Sequence, residues 1–487
     1  MELSEEQNLA FEKYKQKKNV FITGPGGSGK SALIKCIFKD AQNMDKKIQV
    51  CALTGCAALL LGCKAKTVHS WSGIGLGNMA VEHLIARVKS NKYSKSSWKK
   101  TNILVIDEVS MLSLKLFNAL NKIGQSVREN NRPFGGIQVI FSGDFYQLPP
   151  VGKNPGEPDE ARFCFESDDW NRVFEKDCQI QLITIFRQSG DPVYSKILNE
   201  IRVGKMKRKS VDILEAQVKR KIDEKLVAEP TKLFPTKNKV EYINSIKMSE
   251  LETEERIYEI KNEIGELENN EIAELSSITK EMIKTELTYL SSNVMCEKQL
   301  KLKIGAQVMC IVNIQDEKCC HILVCNGSQG IITGFCPITD NPRVKYNNGL
   351  EMVMERHLWP SEKIPVIGLS QIPLILAWAL TIHKSQGATM DTAEIDVGSN
   401  IFECGQTYVA LSRVKSLEGL YLTGFDVNKI KVSKKVQEFY RGLNETLDKS
   451  GTIDKKMEAE KRCENNVVEN KDNLFSKFAY SQGIGNG

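Results

Sequence analysis

No apolar run in the 487-residue chain approaches the ~20 residues needed to cross a bilayer. The longest, around Ile372–Leu380, is interrupted by Pro373. An apolar leader is missing as well: residues 1–18 are acidic and contain Gln, unlike an Arg-rich, acid-poor transit peptide. The fourteen cysteines follow no regular framework, which excludes a disulfide scaffold and points to free, buried thiols in a reducing compartment. Internal repeats are absent. So is a strong charge bias, because 67 Lys and Arg face 61 Asp and Glu for a formal +6. That balance admits a nucleic-acid partner only through a local basic groove. What these absences leave is a soluble intracellular protein with no membrane partner. The content of 41% hydrophobic and 26% charged residues is ordinary for a globular chain. Its length exceeds what one core can organise, so two or three domains are expected.

The first 180 residues alternate short β-branched runs with helical stretches. Asn19–Thr23, Ile48–Leu53, Ile103–Ile106 and Gln138–Ser142 read as buried strands, and strands alternating with helices imply a parallel sheet covered on both faces. Residues 181–304 mix both types, with Lys232–Pro235 strand-like and a Glu/Lys/Ile-rich stretch from about 251 to 300 expected to be helical or partly mobile. Between 305 and 371, turn residues such as Asn326-Gly327, Gly330, Pro342 and Asn348-Gly349 break up short strands, as in a small antiparallel barrel or sheet inserted into the second α/β unit. Ile372–Leu380 reads as a resumed buried strand and Tyr408–Phe425 as a further strand–helix unit, within a segment 372–450. The polar tail 451–487 is expected to be disordered.

Gly24-Pro25-Gly26-Gly27-Ser28-Gly29-Lys30-Ser31 fits the phosphate-loop pattern of Gly, four residues, then Gly-Lys-Ser. A strand precedes it, and a helix with Leu33, Ile34, Ile37 and Phe38 on one face follows. Glycines let successive N–H groups turn inward around phosphates, and a helix N-terminus adds positive potential. Lys30 is expected on the β- and γ-phosphates and the Ser31 hydroxyl on Mg²⁺. Ile103–Ile106 runs directly into Asp107-Glu108; the first carboxylate suits the metal side and the second can polarise the attacking water. An acidic pair after a strand can also be only a solvated turn. Gln147, in Gly143-Asp144-Phe145-Tyr146-Gln147-Leu148-Pro149-Pro150, follows the strand at Gln138–Ser142 and suits a γ-phosphate sensor. Cys319, Cys320, His321 and Cys325 lack paired C-x₂-C spacing and a second ligand cluster, so no zinc site is expected.

A phosphate loop alone does not separate kinases, GTPases, transporters and helicases. Five further stretches do. These are Leu53–Ala58 with Thr67–Gly75, Ser110-Met111-Leu112 followed by Pro133–Gln138, Leu182–Gln188, His383–Gly387, and Tyr408–Val414. With the loop and the acidic pair, they make seven motifs in order over roughly residues 1–430. The chain thus resembles superfamily 1 DNA helicases, and most closely the Pif (petite integration frequency) family. Pro133-Phe134-Gly135-Gly136-Ile137-Gln138 is the most family-specific stretch. The resemblance implies an α/β fold of two RecA-like lobes (1–180, and 181–304 with 372–450), a small SH3-like β-barrel at 305–371, and ATP in the cleft between lobes. It implies Gln7 on adenine, Gly387 near the nucleotide, and Arg187 and Arg413 reaching the γ-phosphate from the second lobe.

It further implies Thr54, His69, Ser70 and His383 on a single DNA strand. Trp71 and Tyr146 are candidates for base stacking, although an aromatic in such motifs is as often lobe core. Trp71 also replaces the phenylalanine common in the family, and Trp378 reads as core. The implied activity is ATP-dependent 5′→3′ translocation on single-stranded DNA and unwinding of forked duplexes by a monomer, in the nucleus or another DNA-containing compartment. An RNA-directed or RecD-like motor, and a clamp that hydrolyses ATP without unwinding, remain open.

Overall fold

The computed structural model describes residues 3–449 except 76, 78, 153–157, 224–225, 265–279, 316–321, 362–363, 365–366, 383, 386, 399–400 and 402. The expected tail after 451, His383 and three of the four candidate zinc ligands lie outside the described residues. No described helix is long and apolar enough to cross a membrane.

Six parallel strands form the first sheet, in the order Lys66–Thr67, Ile48–Ala52, Ile103–Asp107, Gln138–Gly143, Val20–Thr23 and Gln179–Gln181. Val20–Thr23 and Ile103–Asp107 are buried at every position, as β-branched runs covered on both faces should be. The register pairs Thr23 with Gly143 and Ala52 with Asp107, so the phosphate loop, the acidic pair and the Asp144 turn all leave one edge of the sheet. Helix Lys30–Asn43 follows the loop and turns Leu33, Ile34, Ile37 and Ala41 into the core.

The family-specific Pro133–Gly136 turn has a packing task. Gly135 has φ +67°, and a Cβ there would stand 2.3 Å from the Gly124 carbonyl oxygen; a Cβ on Gly124 would stand 2.7 Å from the Phe134 backbone. The two glycines let helix Leu114–Arg128 touch the turn, while Asn121 accepts the Phe134 N–H at 2.8 Å. Gly124→Ala is therefore expected to destabilise the first lobe by about 1–3 kcal/mol through overpacking, read as a lower urea midpoint with nucleotide affinity unchanged.

The second sheet has four parallel strands in the order Ala379–Thr381, Thr231–Phe234, Ala393–Val397 and Leu420–Phe425. Between its second and first strands the chain makes an antiparallel insertion. Five strands pair in the order Glu351–Val353, Pro342–Tyr346, Gln329–Phe335, Gln307–Cys310 and Leu374–Leu376, and smaller sheets flank them. The architecture is thus α/β with two parallel sheets, as the lobes require, plus a β-rich insertion.

The 251–300 stretch is helical only at Lys280–Asn293, among its described residues; Arg256–Glu259 and Lys261–Ile264 are strands paired with Gln299–Leu302 and Ile367–Gln371. Their exposed charged faces mimic a solvated helix in composition, whereas Tyr258 buries inward between exposed neighbours. Ile372–Leu380 is not one strand: Leu374–Leu376 completes the insertion and Ala379–Thr381 opens the second lobe. Both cores are apolar, so a hydrophobic run does not reveal a change of sheet. Trp378, at the crossover, packs in the core of the insertion. In the Tyr408–Phe425 unit the helix, Gln406–Leu411, comes first, and strand Leu420–Phe425 follows.

The last described helix, Lys434–Lys449, falls in the segment expected in the second lobe but packs on the first. Val436, Tyr440 and Leu443 join the first-lobe core, and Phe439 contacts Phe145, Phe165 and Trp170 at 4.5–6.1 Å between ring centres. Fully burying such a ring contributes roughly 1.5–3 kcal/mol before entropy is subtracted, and the partly buried Phe439 less. Helix Lys434–Lys449 therefore straps across the lobe that holds the phosphate loop.

Candidate functional site

Loop geometry follows from its glycines. Gly24, Gly27 and Gly29 have φ of +150°, +84° and +80°, and a Cβ on Gly27 or Gly29 would stand 2.5 Å or less from Arg187 or Gln7. Lys30 Nζ donates to the Gly24 and Pro25 carbonyls at 2.7 and 3.0 Å. Burial lowers the Lys30 pKa, opposed by Asp144, Glu108 and Asp107. Ser31 is exposed at the helix start, and the buried Ser28 hydroxyl has no hydrogen-bond partner among the described residues. Gln7 lies behind the loop: Nε2 donates to the Gly29 carbonyl at 3.2 Å, and Oε1 accepts the Ser4 N–H at 2.9 Å in a capping box. Both ends of its amide are thus engaged with protein, rather than turned to the cleft.

Asp107 is buried at its strand's end, and burial pushes its pKa up against the pull of Lys30. Glu108 takes a left-handed backbone, φ +56°, which turns the chain sharply at the cleft; its charge acts on Lys30, Arg187 and Arg413. Gln147 is buried in the Asp144 turn, where its N–H donates to the Asp144 carbonyl at 2.9 Å. Gly405 of the second lobe lies so close that a Cβ there would stand 2.5 Å from the Gln147 carbonyl oxygen.

The two arginines meet at the loop but arrive differently from expectation. Arg187 does not come from the body of the second lobe. It lies on the connection leaving strand Gln179–Gln181 of the first sheet, where Phe186 N–H donates to the Gly27 carbonyl at 2.9 Å. Its guanidinium then reaches the Ser412 carbonyl of the second lobe at 3.3 Å. Arg413 does belong to that lobe: Nε donates to the Val409 carbonyl and a terminal nitrogen to the Ser412 hydroxyl, both at 2.9 Å. Burial and the Arg413 charge push the Arg187 pKa down to about 9, and burial lowers that of Arg413. Two cations pressed together in a shielded cleft favour a polyanion between them.

The candidate strand contacts divide. Thr54 is exposed and caps helix Gly55–Leu61, its hydroxyl accepting the Ala57 N–H at 3.2 Å. His69 and Ser70 are half-buried on helix Val68–Ser72, and the Ser70 hydroxyl has no hydrogen-bond partner among the described residues. Gly387 lies against Leu60 of the first lobe, so it borders that same region. The aromatic candidates for stacking are occupied by protein. Trp71 is 5% exposed, with its ring 4.5 Å from Trp98. Tyr146 is 8% exposed and stacks on Tyr440 at 4.6 Å, with the Arg202 guanidinium 4.6 Å away. Both behave as lobe core, the alternative the sequence left open.

Sequence reasoning missed two groups. Arg202, on helix Pro192–Val203 of the second lobe, makes two 2.8 Å bonds to the fully buried Asp144; the Tyr440 hydroxyl donates to the same carboxylate at 3.2 Å. Tyr408 is the other, its hydroxyl accepting the Gly26 N–H at 2.8 Å. Asp144 and Tyr408 lay within the quoted motifs, but nothing local shows what they touch.

Residues 2–212 match the PIF1-like helicase family model, and residues 287–335 match the model of the DNA helicase Pif1 2B domain. The ATP-dependent DNA helicase PIF1 of Emericella nidulans is 34% identical over 88% of this chain and 62% of its own length. The chain thus spans less than two thirds of that curated relative. The crystal structure of Pif1 helicase from Candida albicans is 35% identical with a TM-score of 0.68, covering 91% of this chain and 100% of that one. Bacteroides Pif1 in complex with ADP-AlF4 is 31% identical with a TM-score of 0.74, over 92% and 98%. On these family models and on relatives above 30% identity over most of its length, this chain belongs to the Pif1-like helicase family.

Proposed function

We propose that the chain is an ATP-dependent DNA helicase that translocates 5′→3′ on single-stranded DNA and opens forked duplexes. The observation that carries this reading is the meeting of Arg187 and Arg413 with the phosphate loop across two lobes, so that closing the lobes completes the catalytic charge. Lys30 would bind the β- and γ-phosphates, and Glu108 would polarise the attacking water while Gln147 senses the γ-phosphate. The residues also fit Mg²⁺: Ser31 and Asp107 are oxygen donors at the helix start and the strand end, with the buried Ser142 hydroxyl beside Asp107 as a further oxygen donor. The ion would neutralise charge on the phosphates. Adenine contact by Gln7 requires its amide to exchange a present partner, and Gly387 acts through the lobe contact near Leu60.

Thr54, His69, Ser70 and His383 would hold the strand, and the insertion, read as an SH3-like barrel, would lie beside it. A Bacteroides Pif1 solved bound to single-stranded DNA, and a structure of DNA unwinding at forked duplex DNA by two coordinating Pif1 helicases, support that partner. The single chain supplies both arginines, so we take the monomer as the working unit, acting in replication, recombination, repair or telomere maintenance in a DNA-containing compartment.

The test is Lys30→Ala in the full chain. Strand-stimulated ATP hydrolysis is expected to vanish while oligo(dT) affinity remains within about threefold. That affinity should fall steeply with salt, as phosphate contacts do. Binding that ignores salt, or hydrolysis that survives, contradicts the reading.

A further inference from the structure

We propose that the Tyr408 hydroxyl is a positioning and sensing group for the γ-phosphate, donating its proton to a terminal phosphate oxygen when the second lobe is closed. The inference rests on the ATPase reading above and adds a residue to it. Tyr408 is 3% exposed and stands on helix Gln406–Leu411 of the second lobe, and its hydroxyl accepts the Gly26 N–H at 2.8 Å. The other side of the same Pro25–Gly26 peptide is held by Lys30, whose ammonium donates to the Pro25 carbonyl at 3.0 Å. Phosphate-loop lysines reach the β- and γ-phosphates, so the hydroxyl lies at the γ-end of the loop. The second lobe converges on this point: a Cβ built on Gly26 would stand 3.5 Å from Ser412 Oγ, 3.6 Å from an Arg413 guanidinium nitrogen and 3.6 Å from Tyr408 Oη.

A tyrosine hydroxyl accepts and donates. Here the accepting side is used by Gly26, while among the described residues its own proton meets no acceptor within hydrogen-bond distance. Burial keeps the group protonated by pushing its pKa up. A buried donor without an acceptor is unfavourable, and an acceptor that arrives with the substrate relieves it. A terminal phosphate oxygen meets that requirement, and ADP lacks it. Because the hydroxyl rides on the same lobe as Arg413, its bond to the γ-phosphate forms with closure and is lost with hydrolysis. The contact therefore separates ATP from ADP by lobe position rather than by nucleotide grip alone.

Tyr408→Phe keeps the ring and removes only the hydroxyl. In the full chain, with saturating oligo(dT), kcat is expected to fall ~10–100-fold, somewhat less than loss of an oxyanion donor. ADP affinity should stay within about twofold, while affinity for ADP with aluminium fluoride drops by about the same factor as kcat. Retained ADP affinity also reports a folded cleft. A kcat within about twofold of wild type, or equal weakening of ADP and ADP with aluminium fluoride, overturns the proposal and assigns Tyr408 to packing. Wild-type protein that does not hydrolyse ATP overturns the parent reading as well, a result visible before the variant is made.

Discussion

Arg413→Ala is expected to lower kcat for strand-stimulated ATP hydrolysis by ~10³-fold or more, with ADP affinity changed far less. The reason lies in where the charge is needed. As the γ-phosphoryl group transfers, negative charge spreads over its equatorial oxygens, and a preorganised cation in a shielded site stabilises that state more than the ground state. Arg413 is 3% exposed and fixed by bonds to the Val409 carbonyl and the Ser412 hydroxyl, so it is oriented before substrate arrives. Arg413→Lys keeps the charge but cannot reproduce the fork of N–H donors; it is expected to recover only a small part of the loss. Turnover and ADP titration on both variants check the claim. A fall of less than about tenfold for Arg413→Ala removes the residue from this role.

Asp144→Ala is expected to be the most destabilising single change in the interlobe contact, by about 3–5 kcal/mol. It strands the Arg202 guanidinium, 5% exposed, without its carboxylate. Burial alone would lower the Arg202 pKa; the Asp144 charge and its two bonds more than reverse this and raise it. Asp144 also accepts from Tyr440, so the second lobe, the phosphate-loop lobe and the terminal helix are tied at one carboxylate. The urea midpoint should drop, and strand-stimulated hydrolysis should fall with it, since Arg202 helps set the lobe position. Combining Asp144→Leu with Arg202→Met removes both charges and is expected to be less harmful than the sum of the single changes. Strict additivity would show that the two groups do not act as a pair.

A sequence discloses local chemistry and leaves long-range partners unstated. The phosphate loop and Asp107-Glu108 were legible because their chemistry is local: spacing, a strand before and a helix after specify what the backbone must do. The partners of Asp144 were not, since Arg202 is 58 positions away and Tyr440 296, and only the fold brings them together. Arg187 was recognised by its motif, yet the lobe that carries it depends on which sheet strand Gln179–Gln181 joins. Trp71 and Tyr146 could equally stack on bases or on protein; Trp98 and Tyr440 decide in favour of protein. Strands Arg256–Glu259 and Lys261–Ile264 escaped notice because charged edges hide a two-residue period.

The central claim is that hydrolysis between the lobes is coupled to strand separation. Its most direct test is release of the labelled strand from matched DNA forks bearing either a 5′ or a 3′ tail, with ATP, for wild type and Lys30→Ala. Wild type should separate the 5′-tailed fork in an ATP-dependent manner and leave the 3′-tailed one intact, and Lys30→Ala should separate neither. Strand-stimulated hydrolysis with no separation of any fork, or separation of the 3′-tailed fork alone, would contradict it.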